Sequence, residues 1–238
     1  ANRAGGGIEI TSTSTTTTLT NVTLTNNSAL SGPGNGGGLH VSGSPNTNIT
    51  GGTVTGNTAA EEGGGLWNGS GTMTIAGGTL IDSNVAQSGN AGGDVQGGGG
   101  IFNNGGMLNI DGITISNNIA LDPDAGGTQD DGGGGIFNND GTVTLTNVNV
   151  TDNLATDGLG NGGGILSIVG NLTVNDGTIN SNEAARAGGG IENNAGTVNL
   201  NIATVNGNTA GINGGGLHTS GTGLVNTDGG FVNGNTAG

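Results

Sequence analysis

Apolar and polar positions alternate along this chain in short bursts separated by glycine. In the segment GGGGIFNNDGTVTLTNVNVTDNLA (132–155), Val143 and Leu145 alternate with Thr142, Thr144 and Thr146, and Val148 and Val150 alternate with Asn149 and Thr151. A period of two marks a strand with one buried and one wet side. The same alternation returns at Leu108 and Ile110, at Leu172 and Val174, and at Val198 and Leu200. A further short strand at each GGGI gives three short strands per unit. No segment carries a helical period, and Gly, Asn and Thr all disfavour helix.

The bursts belong to a repeat. Asn-x-Ala occurs eight times, beginning at Asn27, Asn57, Asn84, Asn118, Asn153, Asn182, Asn208 and Asn235, with an aliphatic residue three places before each. A glycine run ending in an aliphatic residue also occurs eight times, at Ile8, Leu39, Leu66, Ile101, Ile136, Ile165, Ile191 and Leu217, spaced by 31, 27, 35, 35, 29, 26 and 26 residues. A fixed unit of this length is the signature of a solenoid. The prediction is an all-β chain over residues 1–238: a single parallel β-helix, expected right-handed, of about eight coils of 26–35 residues. At about 4.8 Å per coil its rod is about 38 Å long. Stacking explains the invariant residues. The eight Asn form a ladder whose amides bond along the axis, Ala fits a crowded inward corner, and the glycines allow positive φ and close backbone approach.

Composition narrows the function. Of 238 residues, 58 are Gly, none is Cys, Tyr or Lys, and the net charge is −15. The acidity argues against nucleic acid and anionic membrane as partners. The lack of Cys excludes disulfides and thiolate metal sites. No stretch is long and apolar enough to insert directly into a membrane as a helix. The chain begins inside a repeat and stops just after an Asn-x-Ala, which suggests a segment of a longer array or a stacking subunit.

The GGGI starts and Asn-x-Ala ends, present across the whole chain, resemble the passenger domains of bacterial polymorphic outer membrane proteins and related repeat adhesins. That resemblance implies an exported β-helix used for adhesion or display, at the cell surface or outside a bacterium, usually within a larger protein.

A longer period is also visible. RAGGGIE at 3–9 returns at 186–192, each time followed one coil later by GGGLH. Coils seven and eight therefore repeat coils one and two. Joining the final NGNTAG to the initial ANRAGGGIE recreates an ordinary junction between coils. Head-to-tail stacking of copies and continuation in a longer chain both account for this.

Several positions are candidates for a site. The residue after each glycine-run aliphatic is expected to point outward, in the column Glu9, His40, Trp67, Phe102, Phe137, Leu166, Glu192, His218. Within it Trp67, Phe102, Phe137 and Leu166 form an apolar stripe, either a contact surface or a strip covered by the long inserts QSGNAGGDVQ and LDPDAGGTQDD. The second insert holds Asp122, Asp124, Asp130 and Asp131, flanked by Asp94 and Asp157. Such a cluster offers carboxylates for weak calcium binding or is simply a solvated acidic loop. Glu9 with His40, and Glu192 with His218, are expected as surface ion pairs on adjacent coils. The last strand of each coil shows outward Thr and Asn, interrupted by Leu80, Asp82 and Phe231. Ladders of this kind suit a ligand-binding solenoid for ice or carbohydrate.

A glycan-active enzyme on this fold needs a strong base or convergent carboxylates. Arg3 and Arg186 occupy equivalent corners far apart, and the Asp cluster lies within one insert. The sequence therefore reads as a non-enzymatic structural or adhesive module, a surface scaffold or filament subunit, without a cofactor, binding further copies of itself or a ligand on a host or cell surface.

Overall fold

A computed structural model describes residues 4–30, 32, 34–87, 96–121, 131–156 and 158–238. They form strands and turns without a helix, in three parallel sheets that run the length of a β-solenoid. The fourth coil illustrates the unit: Ile101–Asn104 and Met107–Asp111 lie in the first sheet, Thr114–Ser116 in the second and Ile119–Leu121 in the third. Each coil thus passes through three sheets, but not as the three expected strands: the GGGI strand and the alternating strand after it share the first sheet, the next alternating strand forms the second, and the third-sheet strand at Asn-x-Ala is additional to those expected. In the fifth and sixth coils the two parts in the first sheet fuse into single strands of 11 residues, Ile136–Thr146 and Ile165–Asn175. The second and third sheets each hold eight strands, one per coil.

Coil-to-coil register follows the repeat. Ile101 pairs with Leu66 and Ile136, Ile115 with Ile81 and Val150, and Ala120 with Ala86 and Ala155. Aliphatic residues of all three sheets point inward and form one continuous core along the axis, including Leu66, Ile101, Leu108, Ile115, Ile136 and Val150. Each such side chain contributes about 1.5–3 kcal/mol by leaving water. Near the start of the rod one place in this core is polar: the buried hydroxyl of Thr47 has no hydrogen-bond partner.

Each coil turns three corners, and a residue with positive φ sits at each. The corner after the first sheet is made by Asn21, Gly51, Gly77, Gly112, Asn147, Asp176, Ile202 and Gly229, with φ from 49° to 70°. The corner after the second sheet uses Asn26, Gly56, Ser83, Asn117, Asp152, Ser181, Gly207 and Gly234. Asn, Asp and Gly tolerate this left-handed region best. The third corner opens each glycine run and is always Gly, for a steric reason. A Cβ on Gly98 would lie 2.5 Å from the carbonyl oxygen of Ile101.

Ile202 is the exception at these corners, a β-branched residue at φ 54°. Its side chain is 63% exposed, so little burial offsets the strain. The left-handed conformation costs an ordinary residue about 1–2 kcal/mol. Replacing Ile202 by Asn, the residue at the same corner in coils one and five, is expected to stabilise the rod by about 1 kcal/mol. Thermal melting of Ile202→Asn checks this; an unchanged or lower melting temperature contradicts the assignment of strain.

Candidate functional site

The Asn of each Asn-x-Ala follows directly on the second corner, and the turn there aims its side chain inward. Asn57, Asn84, Asn118, Asn153, Asn182 and Asn208 are buried, while Asn27 and Asn235 are half-buried. In the middle of the rod, the backbone N–H and the Nδ2 of Asn84 both donate to Oδ1 of Asn118, at 3.0 and 2.9 Å. Asn118 repeats both bonds to Asn153 at 3.0 and 2.9 Å, and its other amide hydrogen goes to the carbonyl of Ile81 at 3.1 Å. The pattern runs unbroken from Asn27 to Asn235. Every donor and acceptor of an interior Asn is thereby used, which is what makes burial of an amide tolerable. Asp lacks the donors, and Gln is one methylene longer.

A second ladder lies in the first sheet. Asn68 donates to Asn103 at 2.7 Å, Asn103 to Asn138 at 3.0 Å, and Asn138 to the hydroxyl of Ser167 at 3.3 Å. Asn103 and Asn138 also bond the carbonyls of Gly106 and Gly141, three residues on, and Asn193 bonds Gly196 in the same way. These amides hold the turn between the two parts of the first-sheet strand. This ladder is not among the sites expected from the repeat. Its signal is an Asn two places after the glycine-run aliphatic, at 68, 103, 138 and 193.

Trp67, Phe102, Phe137 and Leu166 pair in register on four successive coils, so the stripe is contiguous. It is not at the surface. Trp67 is 9% exposed and the other three are fully buried. They form a small core of their own with Ile168, separate from the axial one. Phe102 and Phe137 stack with ring centres 4.8 Å apart, and His40 stacks on Trp67 at 4.4 Å. In coils two to seven the residue after the glycine-run aliphatic is buried, so those strands are buried on both sides, whereas Glu9 in the first coil is exposed and His218 in the last is half-buried. The indole N–H of Trp67 donates to Glu62 at 2.7 Å, which also accepts from Asn35 at 2.9 Å. The insert segments 88–95 and 122–130, weighed above as a cover, lie outside the described residues.

The two Glu–His pairs differ. Glu9 and His40 are register neighbours, yet no hydrogen bond joins them. Burial pushes the His40 pKa down, with Glu9 acting against it, and Nδ1 of His40 has no partner. Glu192 and His218 do pair, Nδ1 to Oε2 at 2.9 Å, and the Ser220 hydroxyl donates to the same carboxylate at 3.2 Å. This is not the solvated ion pair expected, because Glu192 is 2% exposed. Burial pushes its pKa up, opposed by His218, Ser220 and the charge of Arg186.

Of the acidic insert, Asp122, Asp124 and Asp130 lie outside the described residues, as do Asp94, Asp157 and Arg3. Asp131 is buried, and its carboxylate accepts the backbone N–H of Gln96 at 2.9 Å. That bond ties adjacent coils together. Among the described residues no three His, Cys, Asp or Glu are grouped as metal ligands.

On the second sheet, Asp82 sits in the outward Thr/Asn column. Its carboxylate accepts hydrogen bonds from Ser83, Ser116 and Asn117 at 2.7–2.8 Å. Partial burial pushes its pKa up, but the three hydrogen bonds together outweigh this and hold it below the usual aspartate range. Compared with known proteins, the chain matches no family model, no curated protein and no solved structure.

Two predictions follow from these bonds. Asn118→Ala removes the acceptor shared by the backbone N–H and Nδ2 of Asn84 and leaves Asn153 Oδ1 with only the backbone N–H of residue 118, and it is expected to cost about 1–3 kcal/mol. Chemical denaturation measures it; an unchanged midpoint contradicts the buried ladder. For Asp82, a depressed folded pKa means stability that is present above the ordinary aspartate pKa of about 4 and lost as pH falls below it. The destabilisation caused by Asp82→Ala is therefore expected at pH 7 and shrinks in acid. A deficit independent of pH contradicts the role of the carboxylate charge.

Proposed function

We propose that this chain is a non-enzymatic structural and adhesive module, a stiff solenoid rod that carries outward faces at the surface of a bacterial cell or outside it. The observation that supports this best is the continuity of the Asn ladder through all eight coils, flanked by three parallel sheets. Each coil bonds only its neighbours, so stiffness along the axis is built from one repeated interface. The polymorphic outer membrane protein resemblance points the same way, to an exported passenger segment.

Self-association is part of this proposal. The ladder is directional: an Asn gives its backbone N–H and one amide hydrogen to the next coil, and offers its oxygen and the other amide hydrogen to the previous one. A further coil, in the same chain or in a second copy, docks by repeating these bonds.

Immunogold labelling of the producing cells tests the reading together with deletion of the coding region. The expected result is label on the outer surface and weaker attachment of the deletion strain to solid or cellular surfaces. Label confined to the cell interior, or attachment unaffected by deletion, overturns it.

A further inference from the structure

The widest face of the rod is the outer side of the first sheet, over strands such as Thr16–Thr20, Asn46–Thr50, Thr72–Ala76 and Met107–Asp111. Three outward columns cross it. The middle one reads Thr18, Asn48, Thr74, Asn109, Thr144, Thr173, Asn199, Asn226 and is Thr or Asn in every coil. Of the 24 outward positions on this face, 19 are Thr or Asn. Neighbouring Asn residues hold one another upright: Asn201 bonds Asn175 at 2.8 Å and Asn226 bonds Asn199 at 2.9 Å.

Charge is distributed against this face. The chain has 17 acidic residues, of which only Asp111 and Asp228 stand among these positions, with no Arg or Lys. A cationic partner meets almost no carboxylate here, and an anionic one meets no cation. The three apolar positions, Ala76, Met107 and Leu224, do not make a patch. What the plane offers, over and over at the coil spacing, is neutral groups that both donate and accept hydrogen bonds. The second sheet is a poorer plane, narrower by one column and interrupted by Leu80, Asp82 and Phe231.

We propose that this plane binds an uncharged polysaccharide laid across the coils. The inference rests on the adhesive reading above and names its partner class. Sugar hydroxyls, like Thr and Asn, donate and accept at once, and a polymer that repeats meets a surface that repeats. No aromatic ring stands on the plane to stack on a single sugar. Binding therefore comes from many weak contacts made together, and short oligosaccharides bind poorly where the polymer binds well.

The test is depletion of the purified chain from solution by insoluble cellulose, chitin and β-1,3-glucan, at low and high salt. The expected result is binding to at least one polymer, undiminished by salt and not displaced by short oligosaccharides. Thr74→Glu with Thr144→Glu places two charges on the plane and is expected to weaken binding at least tenfold. Thr53→Glu with Thr178→Glu adds the same charge to the second sheet and leaves binding unchanged. Should the first pair not fold, judged by circular dichroism, the near-isosteric Asn109→Asp tests the plane. Depletion by none of the polymers, loss in high salt, or equal loss in both charge pairs overturns the proposal. So does retention on growing ice with none on the polymers, which assigns the plane to ice. Solution scattering separates the two readings: a rod that binds no polymer refutes this inference alone, whereas a chain that is not a rod refutes the scaffold.

Discussion

Everything in this fold depends on how one buried amide meets one glycine run. The coil closes where the ladder Asn packs against the start of its own coil. A Cβ on Gly100 would lie 3.1 Å from the Asn118 side chain and 2.6 Å from the carbonyl of Gly135 in the next coil. The neighbouring Gly99 is hemmed in at 2.5 Å by Gly134 and Ile119. Glycine is therefore present because the amide and the next backbone occupy the space of a side chain. The amide is in turn tolerated inside because the ladder uses all of its hydrogen-bonding groups. Neither feature is stable without the other, and the two motifs recur together in all eight coils.

Once that lock sets the height and register of each coil, the rest needs little specificity. The axial core accepts Leu, Ile, Val or Met in equivalent places, as at Met73, Leu108 and Val143. The first two corners need only a residue that tolerates positive φ, and Asn, Asp, Ser and Gly share the task. This division explains how a chain with four Phe and Trp residues forms a stable rod. Large side chains are replaced by backbone hydrogen bonds between coils, and the variable outer surfaces are left free for recognition.

Much of the fold was legible in the sequence. The glycine runs and Asn-x-Ala triplets mark the same steps of the coil that the register connects, and the alternating aliphatics are the inward ones. The outer column was harder to read. Period-two alternation tells which side of a strand Phe102 occupies, but not what else lies on that side; it sits opposite the axial core and is buried nonetheless. The Asn at 68, 103, 138 and 193 do not stand out in the alternation, because hydropathy does not distinguish a buried, hydrogen-bonded amide from a wet one. The corners after the first two sheets were obscured by the chemical variety of residues that tolerate the same φ. The column makes Glu192 and His218 neighbours, as they are, but the burial of Glu192 escapes it for the reason that applies to Phe102.

The most direct test of the amide lock is hydrogen exchange at the side chains themselves, followed by NMR. The Nδ2 hydrogens of Asn57, Asn84, Asn118, Asn153, Asn182 and Asn208 are predicted to exchange as slowly as the backbone amides of the sheets beside them, while those of surface residues such as Asn104 exchange at once. Fast exchange at the ladder positions, in a chain whose backbone amides stay protected, contradicts the account.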